Sequence, residues 1–399
     1  MHGNKTMTRR RLIAASAAVL GIPRLAGAGV TGAGTGGVAA GLAAAKGIAS
    51  KPVAMAAPMR AIVIERAGKP VAGNVRLVSD WPAPVARAGE VVVRTLAAAL
   101  NHLDLWVGAE PTRTPWVSGS DACGTVESVG EGVDASWIGR RVIFNAAVPM
   151  PESPRPGPRP ARPPRIDLIG SETPGCMAEK FTVPADNLLE VGEADPIEAA
   201  AFALTHITAW RMIVSWARVT PEDACLVTGI GGGVALAALG ILNTIGCEVI
   251  VTSRHQAKLD RAKRLGARHG VLDEGQDWSK QVLEITAKRG VDVCVDSVGA
   301  PLHLRCVQSL AQGGRLAICG ASAGSESRTD LSAIYWNQQS VLGSSMGSMD
   351  EFREVTALFR RGVLRPVVDS VHEAKDAAAA YARLEAAAQF GKVVVRWAS

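Results

Sequence analysis

A glycine-rich turn between a short apolar segment and an apolar helical segment constrains the fold of this chain more than any other feature of its sequence. Residues 224–228 (ACLVT) predict a buried strand, residues 229–234 (GIGGGV) a turn, and residues 235–245 a helix. Glycine at such a turn lets the backbone approach a pyrophosphate, whose charge is balanced by free N–H groups at the helix N-terminus. Taken alone the turn is weak evidence, because glycine also serves ordinary turns.

The segments that follow the turn repeat the alternation of strand and helix. Strands are predicted at 247–252, 269–273, 291–298 and 315–320, with helices at 278–288 and 302–310. A glycine-rich turn at the head of such a series predicts an α/β fold with a doubly wound parallel sheet of the Rossmann type. The spacing departs from G-x-G-x-x-G because position 234 is valine, so the better frame runs from Gly229 through Gly232 to Ala235.

The part of the chain from residue 59 to about residue 144 has a different pattern. Short β-rich segments such as 59–64 (MRAIVI) and 90–95 (EVVVRT) are separated by Gly and Pro turns. This pattern predicts a barrel-like, mainly antiparallel β domain. Residues 151–164 hold seven prolines in fourteen positions and therefore predict an extended loop.

The first 58 residues are predicted to lie outside the fold. They hold seven basic side chains and no acidic or aromatic one, so they cannot bury enough surface to offset their ordering entropy. Three consecutive arginines from Arg9, an apolar run and a small-residue site at 26–28 are typical of a twin-arginine export signal in residues 1–28. A disordered extension and a working start at Met59 are equally open interpretations.

The basic charge of the chain belongs to this tail. The whole chain carries 43 basic and 37 acidic side chains, whereas the residues after 58 carry 36 basic and 37 acidic ones. The folded part therefore gives no support for nucleic-acid binding. No apolar segment reaches the roughly 20 residues of a membrane span, so we expect no integral membrane segment. Seven cysteines without a C-x-x-C pair indicate neither a disulfide scaffold nor a zinc knuckle.

The end of the second predicted strand bears on the choice of nicotinamide cofactor. NAD sites place a carboxylate here for the ribose hydroxyls. This chain has Ser253 and Arg254, with Lys258 one helical turn further, and no acidic side chain before Asp260. A hydroxyl and cations suit a 2′-phosphate, so we expect NADP(H). The alternative is that these residues form a solvated helix start.

Seven motifs in order carry a resemblance to a known family: 59–68 (MRAIVIERAG), 100–108 (LNHLDLWVG), 119–133 (GSDACGTVESVGEGV), 175–184 (GCMAEKFTVP), 199–210 (AAAFALTHITAW), 227–239 (VTGIGGGVALAAL) and 390–395 (FGKVVV). Through them the chain from residue 59 onward resembles the medium-chain dehydrogenase/reductase superfamily, and within it the zinc-independent quinone oxidoreductase-like branch. The resemblance implies a GroES-like catalytic domain at 59–190 and 345–399, with a Rossmann NADP-binding domain at 191–344.

The resemblance also implies that both metal sites of the zinc alcohol dehydrogenases are lost. Asn101, Ser120 and Leu204 match the positions of the three catalytic zinc ligands. Asn and Ser are poor zinc ligands and Leu is none. The stretch 145–175, where the four-cysteine structural zinc lobe would fall, contains no Cys. We therefore expect no bound metal.

The zinc-free relatives of this branch reduce electron-poor acceptors. The resemblance therefore implies an NADPH-dependent oxidoreductase that transfers hydride to a quinone or to an α,β-unsaturated carbonyl compound. Such a reaction needs a nicotinamide positioned against a flat, activated substrate, with oriented hydrogen bonds to the substrate carbonyl. Two alternatives stay open, namely a non-catalytic, crystallin-like NADPH-binding protein and a zinc-type alcohol dehydrogenase with displaced ligands.

The residues that the resemblance places near substrate and nicotinamide each have a structural alternative. Asn101 is the candidate polar group beside the substrate carbonyl, and loop capping is its alternative. His102 is a candidate acid/base group or, more simply, a structural histidine with satisfied hydrogen bonds, and Asp104 orients the loop or caps a turn. Thr205 and Thr208 are candidate nicotinamide contacts that could instead bond back to their own helix.

The remaining candidates are aromatic residues and cofactor contacts. Trp106, and more weakly Trp116 and Trp336, could stack on a planar substrate or pack in the core. Cys319 is a reactive thiol or a small buried residue, and Lys392 contacts a phosphate or merely finishes a strand. The expected cofactor contacts are Gly229, Gly231, Gly232, Gly233, Val234, Ser253, Arg254, Lys258, Ser297, Val298, Gly299, Cys319, Gly320, Asn337 and Lys392.

Assembly and location follow less directly from the sequence. We expect a homodimer, although no motif specifies its interface. We place the protein in the cytoplasm, with a start near Met59, because an NADPH-dependent enzyme elsewhere has no evident way to reduce spent NADP. Export to the periplasm through residues 1–28 is the alternative.

Overall fold

The computed structural model describes residues 57–111, 113–150 and 165–397. The interpretations of the N-terminal tail as a signal, an extension or a start-site artefact concern a segment outside these residues. The proline-rich loop predicted at 151–164 also lies outside them.

The first part of the described chain consists mainly of short strands. They are β1 (Pro58–Ile64), β2 (Val75–Pro82), β3 (Glu90–Ala99), β4 (Ala122–Val129), β5 (Arg141–Phe144), β6 (Ala147–Pro149), β7 (Ile166–Leu168), β8 (Lys180–Pro184) and β9 (Leu188–Glu190). Helix α1 (His102–Ala109) follows β3. Short 3₁₀ turns lie at Val71–Asn74, Ala135–Trp137 and Ala185–Asn187.

The second part alternates between helix and strand. Its elements are α2 (Pro196–Trp210) with a π-helical continuation (Arg211–Trp216), β10 (Ala224–Val227), α3 (Gly233–Ile245), β11 (Glu248–Ser253), α4 (Gln256–Arg264), β12 (His269–Leu272), α5 (Ser279–Ile285), β13 (Val291–Asp296), α6 (Ala300–Gln308), β14 (Leu310–Ile318), α7 (Leu331–Trp336), β15 (Ser340–Gly343), α8 (Met349–Arg360), β16 (Val368–Glu373), a 3₁₀ turn (Ala374–Asp376), α9 (Ala377–Glu385) and β17 (Lys392–Arg396).

Strands β10 to β15 form one sheet in which every pair is parallel. The strand order is β12-β11-β10-β13-β14-β15, so the chain changes direction across the sheet between β10 and β13. This topology confirms the predicted doubly wound Rossmann sheet. Ligands of open parallel sheets bind at the carboxyl ends of the strands beside such a switch point.

The edge of the parallel sheet differs from the sequence prediction. Strand β14 begins at Leu310, five residues before the predicted start at 315, and α7 and β15 were not predicted. Strand β15 has the sequence SVLG, is largely exposed and, among the described strands, pairs only with β14. A short edge strand lacks the continuous apolar run that identifies a buried parallel strand.

The other large sheet is mainly antiparallel. Its order is β16-β17-β3-β4-β5-β9, with β8 pairing to β3 off this path. Only the pair β16–β17 is parallel among its described strands. The mainly antiparallel β domain of the predicted fold class is therefore confirmed. The chain leaves this sheet after β9 and returns to it at β16, and the exact domain boundaries stay predictions.

Helix α2 joins the two sheets. Its first turn is capped by Asp195, whose carboxylate accepts the N–H of Ile197 at 2.7 Å. The helix contacts β3, β4 and β17 on one side and α3 on the other. Its buried run 199–203 (AAAFA) has four alanines, whose small side chains let these elements approach closely. Helix α2 thereby holds α3, which packs on the parallel sheet, against the antiparallel sheet.

The same helix bears on the expectation that the chain has no integral membrane segment. With its π-helical continuation, Pro196–Trp216 is long and apolar enough to cross a membrane by length and composition alone. However, 72% of its apolar window is buried inside the protein, as in the core helix of a globular fold. This is weak evidence for a membrane span.

Candidate active site

A cavity of about 850 Å³ lies at the carboxyl ends of the parallel strands, together with residues of α1, α2 and β17. It adjoins the switch point between β10 and β13, where this class of sheet binds ligands. The structure brings most of the predicted site residues together on its wall: Asn101, Trp106, Thr205, Thr208, Gly229, Gly232, Gly233, Val234, Ser253, Arg254, Lys258, Ser297, Val298, Cys319, Gly320 and Lys392.

Two predicted glycines support this wall without lining it. The carbonyl of Gly231 accepts the N–H of Gly391 at 2.9 Å, which ties the glycine-rich turn to the segment just before β17. A Cβ on Gly299 would lie 2.5 Å from the carbonyl oxygen of Gly324, so this backbone packs against the loop that follows β14.

The aromatic candidates and Asn337 occupy different environments. Trp106 lines the cavity and is 44% exposed, which leaves a face for a planar ligand. Trp116 is buried, and its indole N–H donates to a backbone carbonyl at 3.1 Å, as expected for core packing. Trp336 is 72% exposed and does not line the cavity. The carbonyl of Asn337 accepts the N–H of Gly313, near the amino end of β14 and away from the cavity.

The glycine-rich turn leads directly into the first turn of α3. Gly232 is the N-cap residue, and no acidic side chain occupies the first helical turn. An α-helix leaves the N–H groups of its first turn without intrahelical partners, so this end of α3 can accept an anion. A Cβ on Gly233 would lie 2.8 Å from Thr205 Cγ2, so glycine is required for the close approach of α2. The turn therefore fits a cofactor pyrophosphate.

The end of β11 is tied to this turn. The hydroxyl of Thr252 accepts the N–H of Gly229 at 3.3 Å. The Ser253 hydroxyl accepts the N–H of His255 at 3.1 Å, and Arg254 is exposed at the cavity rim. A hydroxyl beside a guanidinium at this position is the donor set that suits a 2′-phosphate.

Lys258 is held differently from the sequence expectation. Its ammonium donates to the carbonyl of Ala387 at 2.8 Å, and its aliphatic chain passes Gly231. Burial and the nearby Arg254 guanidinium lower its pKa. Lys258 therefore lies between the glycine-rich turn and the loop after α9, with one N–H already engaged.

A buried carboxylate that the sequence analysis missed shapes the loop after β13. Asp296 accepts hydrogen bonds from the Thr228 hydroxyl at 2.5 Å, from the N–H of Val298 at 3.1 Å and from the N–H of Gly299 at 2.9 Å. Burial raises its pKa. Its position as the last residue of β13, next to a predicted ligand loop, was the available signal. Asp296 fixes the backbone that presents Ser297 and Val298 to the cavity.

The thiol of Cys319 matches the simpler of its two interpretations. Burial raises its pKa to about 12, so the thiol stays protonated at neutral pH. A protonated thiol is a poor nucleophile. Cys319 therefore acts as a small wall residue of the cavity.

Asn101 combines a structural and a cavity-lining position. It is the N-cap residue of α1, and its N–H donates to the Asp104 carboxylate at 2.7 Å. Burial raises the pKa of Asp104 to about 6. The Asn101 amide Nδ2 has two long contacts of 3.5 Å, to the Ala99 carbonyl and to the Ser120 hydroxyl. Asn101 and Asp104 thus form the capping box of this helix, and Asn101 also lines the cavity.

The most unexpected feature is a buried ammonium at the inner end of the cavity. Lys392 Nζ donates to Asn101 Oδ1 at 2.5 Å and to Asp121 Oδ2 at 2.9 Å. The Lys392 side chain is 4% exposed and the Asp121 side chain is fully buried. Asp121 Oδ1 also accepts the N–H of Leu204 at 3.2 Å. The sequence placed Lys392 at a phosphate or a strand end and missed Asp121, which directly follows Ser120.

The polar groups of α2 are largely satisfied within the helix. The Thr208 hydroxyl donates to the Leu204 carbonyl at 2.7 Å, and Thr205 makes a weaker bond of 3.5 Å to Phe202. His206 packs flat on Phe202, and burial lowers its pKa to about 3. His102 at the cavity also has a lowered pKa, because of burial and the Lys392 charge. Both histidines are therefore neutral near pH 7.

The donor set does not fit a catalytic zinc ion. The three positions matched to zinc ligands carry an amide (Asn101), a hydroxyl (Ser120) and an aliphatic side chain (Leu204). The Lys392 ammonium donates to the Asn101 side chain and to Asp121, which in turn accepts the Leu204 N–H. Zinc in proteins takes thiolate, imidazole and carboxylate ligands, and a neighbouring ammonium opposes a second cation. Within residues 57–111, 113–150 and 165–397, no group of three or more His, Cys, Asp or Glu side chains could hold a metal.

Comparison with known protein families matches both halves of the chain. Residues 87–193 match the model described as "Alcohol dehydrogenase GroES-like domain". Residues 233–361 match the model described as "Zinc-binding dehydrogenase". Together these models cover the antiparallel sheet up to β9 and most of the parallel-sheet region.

Individual proteins agree with these matches. A zinc-type alcohol dehydrogenase-like protein of Schizosaccharomyces pombe is 28% identical over 320 residues, covering 77% of this chain and 91% of that protein. Quinone oxidoreductase of Lama guanicoe is 26% identical over 351 residues, covering 84% and 97%. The crystal structure of an NAD-dependent alcohol dehydrogenase is 36% identical with a TM-score of 0.77, covering 85% of this chain and all of that one.

Proposed function

This chain belongs to the medium-chain dehydrogenase/reductase superfamily of nicotinamide-dependent oxidoreductases, and we propose that it reduces a quinone or an α,β-unsaturated carbonyl compound with NADPH and without zinc. The observation that carries the proposal is one cavity with two unlike ends. One end has the glycine-rich turn with Ser253 and Arg254, and the other has Asn101 where a zinc enzyme has a metal ligand.

The residues of this cavity suit a reduction that needs no Lewis acid. NADPH, when bound, supplies the hydride. Asn101 Nδ2, whose contacts to Ala99 and Ser120 are long, is the proposed donor for the substrate carbonyl oxygen on which negative charge develops. Leu103, Leu105 and Met346 give the cavity an apolar wall that excludes water from the reacting atoms.

The coenzyme preference is the second part of the proposal. Ser253 and Arg254 are proposed to hold the 2′-phosphate, and Gly232 and Gly233 the pyrophosphate at the start of α3. Lys258 adds positive charge beside the turn. Because one similar structure is that of an NAD-dependent alcohol dehydrogenase, a preference for NADH is the alternative. The Arg254 variant described next distinguishes the two.

Substituting Arg254 with alanine is expected to weaken NADPH binding while NADH binding barely changes. Loss of one charge-assisted contact corresponds to about a ten- to hundredfold loss of affinity. Isothermal titration with each coenzyme measures the effect. Arg264→Ala, at the other end of α4 and outside the cavity wall, is the matched control. Equal loss for both coenzymes would mean that Arg254 has no part in selecting the phosphate.

A homodimer through the edge of the parallel sheet is also proposed. Strand β15 is an edge strand with Val341 43% exposed, and the adjoining helix α7 exposes Leu331, Tyr335 and Trp336 by 62% to 72%. Unpaired edges and contiguous exposed apolar side chains are typical of interfaces. Two copies paired along β15 would cover both the unpaired edge of this strand and the exposed apolar side chains of α7.

This assembly predicts that Trp336→Glu shifts the protein from dimer to monomer, because a charge would be buried at the interface. Sedimentation velocity measures the change. Val85→Glu is the control, since Val85 is equally exposed at 72% but lies between β2 and β3, outside the proposed interface. A wild-type monomer at micromolar concentration would contradict the proposal.

We propose a cytoplasmic location, because the NADPH that the reaction consumes must be regenerated where the enzyme works. A reporter fused to residues 1–58 tests this directly. Export of the reporter that depends on Arg9 and Arg10 would overturn the cytoplasmic assignment.

A further inference from the structure

We propose that the buried ammonium of Lys392 replaces the metal ion of the zinc-dependent relatives as the resident cation of this active site. In this role Lys392 is a positioning residue that orients and polarises the Asn101 amide during hydride transfer. The inference rests on the proposed function, since it assigns a role within that reaction.

The position of the ammonium is the first argument. Its two described partners are Asn101, which stands at one matched ligand position, and Asp121, which directly follows a second at Ser120. The third matched position, Leu204, donates its backbone N–H to the same Asp121 carboxylate at 3.2 Å. All three positions that would surround a zinc ion are therefore connected to one lysine head group.

The burial of the charge is the second argument. Lys392 is 4% exposed and Asp121 is fully buried, so the pair is shielded from solvent. A lysine that merely ended a strand would extend its head group into water. A buried ion pair is also seldom more stable than an apolar pair of similar size, so stability alone does not account for it.

The hydrogen-bond directions are the third argument. Because Lys392 Nζ donates to Asn101 Oδ1, the amide must present its Nδ2 group on the other side. The contacts of Nδ2 to Ser120 and Ala99 are both long, at 3.5 Å, and the Asn101 side chain also hydrogen-bonds the Asp121 carboxylate. Because an amide carries two N–H donors, one of them is left with only long contacts. A cation on the amide oxygen withdraws electron density and strengthens the N–H donors. The arrangement therefore holds a polarised donor in readiness for a substrate oxygen.

The electron balance of the step is consistent with a cation that does not itself react. For an enone, a C–H bond forms at the β-carbon as hydride arrives, and the π electrons of the C=C bond move to the carbonyl oxygen. The resulting enolate oxygen is stabilised by Asn101 Nδ2 and by the nearby Lys392 charge. A proton from water then reaches the α-carbon, while NADPH becomes NADP⁺.

The decisive variant removes both charges together, as Lys392→Met with Asp121→Asn. The pair keeps similar volumes, and an asparagine at 121 can still accept the Leu204 N–H. We expect kcat to fall about a hundredfold, the effect of losing one donor on a developing oxyanion, with the NADPH dissociation constant within about threefold of wild type. The single Lys392→Met variant should melt at a lower temperature than the pair, because Asp121 would be left buried and unpaired.

Two further variants complete the experiment. Lys180→Met with Glu127→Gln removes a partly exposed ion pair elsewhere in the antiparallel sheet and should leave kcat unchanged. Lys392→Arg keeps the charge and should retain at least ten times the kcat of the uncharged pair.

The outcomes separate the inference from the proposed function. Wild-type kcat in the uncharged pair would overturn the inference, as would a loss confined to NADPH affinity, which would make Lys392 a phosphate contact. Lys392→Arg as slow as the uncharged pair would also overturn it. A wild-type protein that oxidises NADPH with no quinone or enone would instead overturn the proposed function.

Discussion

Replacing Gly233 with valine is expected to reduce NADPH affinity by about a hundredfold or more, the scale that a displacement of about 1 Å produces in a preorganised site. Even a single Cβ at this position would lie 2.8 Å from Thr205 Cγ2 and 3.0 Å from Lys392 Cδ. Something must shift, and the first turn of α3 is the part that faces the proposed pyrophosphate. Fluorescence titration of NADPH measures the loss.

Gly240→Ala provides the matched control within the same helix. A Cβ there meets its nearest neighbour, Leu364 Cδ2, at 3.8 Å, which is ordinary contact. Because alanine favours helix over glycine, this variant should bind NADPH normally and be about 0.5–1 kcal/mol more stable. If Gly233→Val bound NADPH as well as Gly240→Ala did, the cofactor could not lie at this turn.

Replacing Asn101 with aspartate is expected to lower kcat by about a hundred- to a thousandfold, as for the loss of one oxyanion donor elsewhere. Aspartate keeps an oxygen for the Lys392 ammonium but lacks the Nδ2 donor. Steady-state kinetics with a quinone and an enal, beside NADPH titration, separate the two effects.

Asn243→Asp is the control for this substitution. Asn243 donates to the Leu265 carbonyl at 2.8 Å on the far side of α3 and does not line the cavity. Its variant should keep wild-type kcat. Full activity in Asn101→Asp would remove Asn101 from the reaction and, with it, the donor that the proposed mechanism needs.

The fold was predictable because its strongest signals are local. The turn at 229–234 lies between a strand and a helix within a few residues, and the parallel strands β10, β11 and β13 are short, largely buried runs. Strand β15 gave no such signal, because an exposed edge strand needs neither apolar alternation nor a long run. At Pro196–Trp216 composition alone does not distinguish a core helix from a membrane helix, and it is the burial of the segment that separates the two.

The candidate site was predictable only in part, because its chemistry depends on contacts between distant segments. Lys392 meets Asn101 across 291 positions of sequence and Asp121 across 271. Nothing in FGKVVV distinguishes a lysine at a phosphate from one that enters a buried ion pair. The resemblance implied a cofactor contact at Asn337, yet its carbonyl accepts the N–H of Gly313 near the other end of β14.

The measurement that tests the central claim most directly is NADPH oxidation by the full chain after dialysis against a strong chelator, with metal content measured on the same sample. The panel of acceptors contains quinones, 2-alkenals and simple alcohol–aldehyde pairs. The account predicts turnover with a quinone or an enal at less than a tenth of a zinc ion per chain, and no gain on adding zinc. Activity that appears only with about one zinc per chain, or only with simple aldehydes, would contradict it.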